Sequence, residues 1–527
     1  MSSPRPPHRF SESGRRFVLR DFSPPRVGRT VCLIACACGA CGADWPQWGG
    51  RDERNMVALE KGLPDCFEPG TKRPDGTGID PQTTRNVRWT ARLGSQTYGN
   101  PTVAGGRVFI GTNDFALNDP KYHASQGGVL KCFQEATGRL LWQLIVPRTE
   151  IDTQRVRFDN MDLGICSSPT VDGDRVYLVT NRCEVACLDL EGRPQWQFDM
   201  ISRLPVCPHD AANCSILVHG GLLYVGTSNG VPHGGLKPLL PLAPTMIVLD
   251  KKTGRLVAQD DERIGTRLWH GQWSSPCLAH AGGRTLVVYG GGDGVCYAFA
   301  PAEPLPRAVT KLKKVWSFDC NPPRYKFAGG KPIDYWSGDI RRRAGNSNDG
   351  TFVGPSEIIA TPVFYRNRIY VAVGQDPRHG RGRGILHSID AAKTGDISES
   401  GRLWSYDKLD RTLSTASLAD GLLYIADFNG ALHCLDAQTG ACYWVHQTNA
   451  ETWGSTLVAD GKVYLGTKKS FWVLAAGKEL KVLHEMHLGA PVWCTPIAAN
   501  GVLYVASEKY LWAVERAENG TAPRHGP

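Results

Sequence analysis

Apolar and polar positions alternate along most of this chain in short runs that are typical of β-strands, and the runs recur as a repeat. Each copy opens with a small residue, often a proline after serine or threonine, and reaches an aromatic residue eight places later. The turn between them, such as Asp172-Gly173, uses residues that adopt positive φ cheaply and so closes a hairpin. The landmark pairs are Pro101 and Phe109, Pro169 and Tyr177, Ile216 and Tyr224, Pro362 and Tyr370, Ala416 and Tyr424, Thr456 and Tyr464, Pro496 and Tyr504, and the longer pair Pro276 and Val287.

Two further runs follow each hairpin. The third run is apolar, as in residues 185–190 and 432–436, and often ends in a turn with Thr-Gly. The fourth run usually carries a tryptophan, as at Trp142, Trp404 and Trp444. A four-stranded unit of about 40 residues repeated eight times predicts an all-β protein, an eight-bladed β-propeller with four-stranded antiparallel blades.

The last unit lacks a fourth strand, because the chain ends soon after its third run, residues 510–514. Residues 86–93, which contain Trp89 and precede the first unit, are the most economical replacement. We therefore predict a ring closed by pairing of N- and C-terminal segments, which removes exposed sheet edges. The predicted division is a leader (1–43), an N-terminal extension (44–85), the propeller (86–515, with an insertion at 321–357) and a flexible tail (516–527).

The net charge of +9 comes largely from the leader, which holds seven arginines against two acidic residues and leaves about +4 for the rest. Nothing in this balance indicates nucleic-acid binding. Arg26 and Arg29 precede an apolar run, residues 31–43, that is too short to span a bilayer. This order predicts an export signal and a location in the periplasm or cell envelope. Cleavage after Ala43 and lipid attachment at Cys36 are alternatives, and a lipid anchor is the one membrane contact that we expect.

Four of the 17 cysteines lie in the leader. Several of the others take one repeat position inside the third strand, which is typical of a small buried hydrophobic residue. No CxxCH haem motif and no paired CxxC zinc spacing occurs after the leader, so we expect no metal bound by cysteine. The third-strand cysteines are Cys132, Cys187, Cys296 and Cys434.

The Thr-Gly-x-x-x-Trp endings, at residues 137–142 and 439–444, resemble the tryptophan-docking motif of the pyrroloquinoline quinone (PQQ) repeat family. The opening Asp-Trp-Pro-Gln-Trp of residues 44–48 resembles that family too. The resemblance extends from about residue 44 to residue 514. Within the superfamily the chain looks most like the PQQ-binding-like propellers of bacterial cell envelopes. It is also similar in blade number to the outer-membrane-protein assembly lipoprotein family, which binds no quinone.

Another branch of the superfamily, the quinoprotein alcohol dehydrogenases, would imply PQQ held by Ca²⁺ over a tryptophan floor, a disulfide between adjacent cysteines and an aspartate base. This chain has no Cys-Cys pair, although some quinoproteins of other blade number also lack it. Glu357, Asn213 and Asp162 are scattered candidates for Ca²⁺ ligands that no motif assigns. We expect a ligand- or protein-binding scaffold with no assignable cofactor. A PQQ-dependent alcohol or sugar dehydrogenase is the alternative.

The innermost strand of each blade lines the pore, so the position three residues before each aligned small residue is predicted to lie near one rim. Large apolar residues at a repeat position usually pack between blades. The functional alternative is an aromatic site for a quinone, a sugar or a peptide, and a carbohydrate-binding propeller is the second alternative function. The rim positions are Tyr98, Cys166, Asn213, Trp273, Ile359, Leu413, Trp453 and Trp493. Polar residues close by are Gln96, Asn100, His209, His270, Gln272, Glu357, Arg411 and Glu451. The candidate ligand-binding residues are Tyr98, Asn213, Trp273, Glu357, Arg411, Trp453 and Trp493.

Two insertions rich in arginine depart from the repeat. If these side chains share a face, their planar donor forks suit an anionic polymer or phosphate, whereas the ordinary interpretation is a solvated loop surface. The residues are Arg341, Arg342, Arg343, Arg378, Arg381 and Arg383. The partners that these features allow are an envelope protein, a peptide or a polysaccharide, and no nucleic acid.

Overall fold

Eight small antiparallel sheets follow one another around a central axis in the computed structural model, so the predicted eight-bladed propeller is confirmed. Each blade has four strands, and the first strand of every unit lies innermost. The structure describes residues 18–21, 43–115, 117, 122–148, 162–210, 213–232, 235, 237–268, 270–304, 306–332, 356–374 and 383–516.

The strands run from the axis outward in each blade. Those of blades one to four are Thr102–Ala104, Arg107–Asn113, Gly128–Gln134 and Leu140–Val146; Thr170–Asp172, Arg175–Val179, Glu184–Asp189 and Pro194–Asp199; Leu217–His219, Leu222–Gly226, Met246–Asp250 and Leu256–Gln259; and Cys277–Ala281, Arg284–Gly290, Val295–Phe299 and Lys314–Asp319. Those of blades five to eight are Val363–Tyr365, Arg368–Val373, Ile385–Asp390 and Arg402–Tyr406; Ser417–Ala419, Leu422–Ala426, Ala431–Asp436 and Cys442–Gln447; Leu457–Ala459, Lys462–Gly466, Phe471–Ala475 and Val482–Met486; and Ile497–Ala499, Val502–Ala506, Tyr510–Val514 and Val87–Arg92.

The ring closes as predicted, because Val87–Arg92 pairs antiparallel with Tyr510–Val514 and completes the eighth blade. Lys131 of blade one strengthens this closure. Its buried ammonium donates to the carbonyls of Arg92 and Leu93, both at 3.1 Å. The first and last parts of the propeller are therefore joined by a strand pair and by a side-chain bridge to the next blade.

Cross-strand register explains why the aromatic residues recur. In blade six Ser417, Tyr424, Cys434 and Trp444 stand side by side in one row across the four strands. The tyrosine and tryptophan rings in this row lie 5.9 Å apart. Four further blades repeat the pair at 5.9–6.1 Å, with Phe109 in place of the tyrosine in blade one. Such tilted ring pairs add stability beyond the buried area, so the repeat encodes the packing of each blade.

Each row tryptophan also joins its blade to the next one. The indole N–H of Trp404 donates to the carbonyl of Ala437 at 3.2 Å, and its ring packs on Gly440. A Cβ on Gly440 would approach that ring to 2.7 Å, and the residue has φ +75°, so glycine is required there. The same contact joins Trp89 to Gly138, which carries the pattern across the point of closure.

Blade four departs from the predicted register. Its inner strand, Cys277–Ala281, has five residues where the other blades have three, so its hairpin is longer by two residue pairs. Val288 therefore takes the aromatic position, and the predicted landmark Val287 was wrong by one residue. For the same reason Ala298 stands beside Trp316, at the row position that Cys132, Cys187 and Cys434 take in their blades. Cys296 lies two residues before that position. All four thiols are buried, as expected for core residues.

Short elements complete the described chain. Val18–Asp21 pairs antiparallel with the outer strand of blade one, and Thr310–Lys311 and Gly395–Asp396 pair in parallel with the outer strands of blades three and four. The small hairpins are Glu68–Pro69 with Thr84–Arg85 and Phe327–Ala328 with Lys331–Pro332, the α-helical turns are Met200–Arg203 and Pro323–Lys326, and the 3-10 turns are Pro81–Thr83 and Ile264–Thr266. Within the described ranges no helix has the length and apolar character of a membrane span.

Candidate functional site

A cavity of about 200 Å³ lies on the propeller axis at one end of the pore. All eight rim positions chosen from the sequence line it, together with residues two places further along the inner strands. The repeat thus places one side chain from every blade around a single opening. The rim side chains are Tyr98, Cys166, Asn213, Trp273, Ile359, Leu413, Trp453 and Trp493.

Below the rim, small polar residues form a second ring in which hydrogen bonds link neighbouring blades, except blades four and five among the described residues. The backbone N–H of Thr415 donates to the hydroxyl of Ser455 at 2.8 Å, and that of Ser455 donates to Thr495 at 2.8 Å. In blade one the Asn100 side chain accepts from Thr495 and donates to Ser168, at 2.6 and 3.1 Å. Further links of this kind join Ser168 to Ser215, Ser215 to Ser275, and Thr361 to Thr415. This hydroxyl ring holds the inner strands at a fixed distance from the axis.

A third level, five residues below the rim, is closed by the segment of residues 44–60, which we call the strap. Hydrogen bonds join the strap to the inner strands of six blades at Val103, Val171, Leu278, Phe364, Leu418 and Val458. In blade eight, Gly501 N–H donates to the Glu60 carboxylate at 2.7 Å. Five extended residues span about 16 Å, so the strap lies about that far from the rim. The strap closes the pore below the cavity, on the side away from the rim.

Arg54 anchors the strap on the axis. Its guanidinium is fully buried and donates to the carbonyls of Pro276, Ile216 and Trp48 at 2.9, 3.0 and 2.7 Å. Burial lowers the pKa of this guanidinium, and Asp52 opposes that shift. The strap can turn here because Gly49 has φ +75°, and a Cβ at that position would lie 2.5 Å from the Arg54 backbone. Blade three is thereby tied to the strap through Ile216.

The strap also supplies the floor of the cavity. Trp48 lines it from below, and its indole N–H donates to the hydroxyl of Thr361 at 3.0 Å. The result is a blind cup, with the strap as its base, the hydroxyl ring around its lower wall and the rim residues around its mouth.

One side of the cup is aromatic. The ring centroid of Tyr98 is 5.9 Å from that of Trp453 and 6.4 Å from that of Trp493, with the latter pair stacked. Trp453 and Trp493 meet edge to face at 5.8 Å. These rings pack against one another and also face the cavity, and their role as a ligand site stays a prediction.

The opposite side is polar. Asp210 and Asn213 line the cavity there, beside Trp273. Behind them the His209 and His270 rings lie 3.9 Å apart, and both rings contact Trp273. His209 Nε2 is 3.4 Å from the Asp210 carboxylate, and His270 Nδ1 is 3.5 Å from that of Glu357. Asp210 is the one acidic or basic side chain among the described residues of the lining.

The predicted ligand-binding residues therefore divide into two groups. Tyr98, Asn213, Trp273, Trp453 and Trp493 line the cup. Glu357 and Arg411 do not line it and are buried beside it, Glu357 next to His270 and Arg411 with its guanidinium 4.7 Å over the Phe428 ring. Glu451 does not line the cup either, and it forms an exposed ion pair with Lys468.

Some lining residues were not predicted from the sequence. Trp48 had been noted for its motif alone, and Asp210 and Leu163 belong to loops without a repeat pattern. The Ser/Thr residues of the hydroxyl ring stand directly before the first landmark residue of their copies, and this fixed spacing was the signal that could have identified them.

The arginine-rich insertions fall mostly outside the described residues, which is where Arg341, Arg342, Arg343, Arg378 and Arg381 lie. Arg383 is described and exposed, and its backbone bridges to Asp410. Its carbonyl accepts from the hydroxyl of Tyr325, which comes from the other insertion. The two insertions therefore meet at this point, and the shared arginine face stays a prediction.

Comparison with known proteins agrees with this architecture. The family described as outer membrane protein assembly factor BamB matches residues 118–260 and 382–491. The chain is a PQQ-like β-propeller. No curated protein matches the sequence of this propeller.

Three solved structures illustrate the fold. BamB from Moraxella catarrhalis superposes with a TM-score of 0.51 at 13% identity, over 83% of this propeller chain and 99% of that chain. A europium-containing methanol dehydrogenase gives 0.57 at 13% identity over 88% and 89%. Quinohemoprotein alcohol dehydrogenase ADHIIG from Pseudomonas putida HK5 gives 0.54 at 12% identity over 92% and 81%. Identities this low show a shared fold and leave function to the site itself.

Proposed function

We propose that this PQQ-like propeller is a binding protein of the cell envelope whose ligand enters the cup from its open mouth. The observation that carries the proposal is the blind cavity itself. The strap closes it at one end, and each of the eight blades contributes one rim side chain, of six residue types in all. A packed core would have no need of a concave, partly polar space on the axis. Because the copies of the repeat diverge most at this rim, the rim is where specificity is expected.

The envelope location rests on the leader pattern and on the resemblance to BamB-like propellers. The partner in that compartment is an envelope protein, a peptide or a polysaccharide that presents a group small enough for the cup. Mass spectrometry of the N-terminus of protein recovered from cell fractions tests this part. A start near residue 44 or a lipidated Cys36 supports it, and an intact leader on cytoplasmic protein contradicts it.

PQQ with Ca²⁺ does not fit the described lining. The aromatic rings offer stacking surface, but the acidic Asp210 would repel the carboxylates that PQQ carries. Among the described residues, no group of three or more His, Cys, Asp or Glu side chains could hold a metal ion. For this reason a dehydrogenase is the alternative function and not the proposed one. Reconstitution of the full chain with PQQ and Ca²⁺ tests it, and stoichiometric quinone binding with dye reduction would overturn the scaffold proposal.

A blocked cup provides the direct test of binding. Leu413→Trp places a larger side chain in the lining, and Leu480→Trp makes the same change at an exposed position remote from the cup. Thermal-shift screening of the full-length protein against a library of envelope metabolites and glycans should give ligands that stabilise the wild type and Leu480→Trp but not Leu413→Trp. Ligands that stabilise all three proteins equally would place binding elsewhere and refute the proposal.

A further inference from the structure

The chemistry of the cup identifies a class of ligand, an inference that rests on the proposed binding function. Aromatic surface stands on three sides, with Trp48 below, Trp273 on one wall and the cluster of Tyr98, Trp453 and Trp493 on the other. Flat aromatic faces of this kind pack well against the C–H face of a saturated ring, and their polar edges tolerate hydroxyl groups around it.

The hydroxyl ring supplies hydrogen-bonding groups of both kinds. Ser455 accepts from Thr415 N–H and Thr495 accepts from Ser455 N–H, so one lone pair of each hydroxyl is already used. A hydroxyl has one donor and two acceptor positions. Among the described residues, Ser455 and Thr495 therefore each keep a hydrogen and a lone pair for a ligand, whereas Ser275 also hydrogen-bonds the Cys214 thiol. Six hydroxyls line the cup: Ser215, Ser275, Thr361, Thr415, Ser455 and Thr495.

A ligand that matches this ring must itself both donate and accept. Hydroxyl groups do so, whereas an ammonium group can only donate and a quinone oxygen can only accept. Asp210 adds a carboxylate at the mouth, which can accept from two neighbouring hydroxyls, and Asn213 adds an amide beside it. The donor and acceptor pattern thus favours a polyhydroxylated ring.

Charged groups of both signs lie around the cup. The Asp210 carboxylate lies 3.4 Å from the imidazole of His209. On the aromatic side, the Arg411 guanidinium packs on Phe428, whose ring is 5.9 Å from Trp453. Asp210 in the lining disfavours an anionic ligand, and the Arg411 guanidinium behind the opposite side disfavours a cationic one. We take the ligand ring to be neutral.

The shape of the cup sets how much of the ligand it holds. Its volume of about 200 Å³ is below the range of about 300–1,000 Å³ that is usual for drug-sized ligands, so it suits one ring. The strap closes the base, and a polymer cannot pass through. A chain can enter such a cup by its end alone.

We propose that the cup binds the terminal sugar ring of a neutral glycan, with the ring stacked on the aromatic wall and its hydroxyls on the hydroxyl ring and Asp210. Trp48 forms the base against which that ring rests, and so the strap contributes directly to recognition.

Calorimetric titration of the full-length protein with methyl glycosides of the common neutral hexoses, pentoses and N-acetylhexosamines tests the class of ligand, with choline as the cationic probe. At least one glycoside should bind, and choline should not. Asp210→Asn, which keeps the shape and removes the charge, should weaken glycoside binding about tenfold, the loss of one hydrogen bond to a charged group. Leu413→Trp should abolish binding, and Leu480→Trp should leave it unchanged.

The end-on mode is tested by comparing a linear oligosaccharide with its cyclic counterpart, built from the sugar that binds. The linear chain should bind and the cyclic one, which has no end, should not. Equal binding of both would overturn the end-on mode. Binding of choline, or no binding of any glycoside at 10 mM, on the order of the weakest useful affinities, would overturn the saccharide assignment. If another library ligand is still blocked by Leu413→Trp, the proposed binding function survives that result.

Discussion

The indole N–H of Trp48 donates to the hydroxyl of Thr361 at 3.0 Å. This bond joins the strap to the hydroxyl ring between blades four and five. Among the described residues, Ser275 of blade four and Thr361 of blade five are not hydrogen-bonded to each other, unlike the corresponding residues of the other neighbouring blades. A side chain more than 300 positions earlier in the sequence thus takes part in a ring that the repeat otherwise builds by itself. The cup is a joint product of the strap and the blades.

A double-mutant cycle measures this bond. Trp48→Phe removes the donor and keeps an aromatic floor, and Thr361→Val removes the acceptor and keeps the shape. We expect a coupling free energy of about 1 kcal/mol between the two changes in the free energy of unfolding, measured by chemical denaturation. Strictly additive effects would mean that the two side chains do not interact.

Arg54 should contribute more to stability than any exposed arginine of the strap. Arg54→Met leaves the carbonyls of Pro276, Ile216 and Trp48 without their donor in a buried site, and we expect a loss of about 3 kcal/mol. Arg51→Met changes an exposed side chain three residues away and is the matched control. Urea denaturation of both variants checks this, and a loss no larger in Arg54→Met than in Arg51→Met would show that the strap is not anchored there.

Buried thiols should make the protein sensitive to alkali. Burial raises the pKa of the Cys277 thiol from 9.0 to about 12, although Arg54 acts in the opposite direction. The unfolded chain loses this proton at lower pH than the folded chain, so the stabilisation is complete below pH 9 and is lost as the pH rises toward 12.

The measurement compares the wild type with Cys277→Ala at pH 8 and pH 10. The stability advantage of the wild type should shrink by about 1.4 kcal/mol over that interval. Cys442→Ala, at an exposed thiol, serves as the control and should show a smaller change. A difference between wild type and Cys277→Ala that does not vary with pH would contradict the predicted shift.

His387 should cause the opposite sensitivity, to acid. It bridges Ser405 and the carbonyl of Cys320 in the preceding blade, at 2.8 and 3.0 Å, and burial lowers its pKa from 6.5 to about 4. Below pH 6.5 the unfolded chain takes up a proton that the folded chain refuses, so stability falls as the pH decreases toward 4.

Between pH 7 and pH 5 this residue should account for a loss of about 2 kcal/mol. His387→Gln should be less stable than the wild type at pH 7 and should lose less stability on acidification, as followed by thermal unfolding. His280→Gln, at an exposed site, is the control. Parallel pH profiles for the wild type and His387→Gln would refute the assignment.

The repeat made most of the fold predictable, for a reason visible in single rows. Tyr424, Cys434 and Trp444 recur at fixed spacing because they stand beside one another across three strands, and the next blade repeats the geometry. The closing strand around Trp89 followed from the same count, because the eighth unit was left without a fourth strand. The rim was predictable too, since a position at a fixed offset in the inner strand lies at a fixed height on the axis.

The strap was not predictable in this way. Its contacts are single hydrogen bonds to backbone groups of blades that are distant in sequence, such as Asp52 with Leu278 and Glu53 with Phe364, and such contacts leave no periodic pattern. Blade four was misaligned because its longer hairpin broke the spacing on which the alignment depended. On the polar wall of the cup, Asp210 lies in a loop and follows no repeat.

The most direct test of the central claim is ¹⁹F NMR of the full-length protein labelled with 5-fluorotryptophan, titrated with a ligand from the screen. Resonances are assigned by single Trp→Phe variants, and the six tryptophans that dock one blade on the next serve as internal controls. The ligand should shift the signals of the four cup tryptophans, Trp48, Trp273, Trp453 and Trp493, and leave those of Trp89, Trp142, Trp196, Trp316, Trp404 and Trp444 in place. Shifts confined to the docking tryptophans, with the cup signals unchanged, would show that the cup is not the binding site.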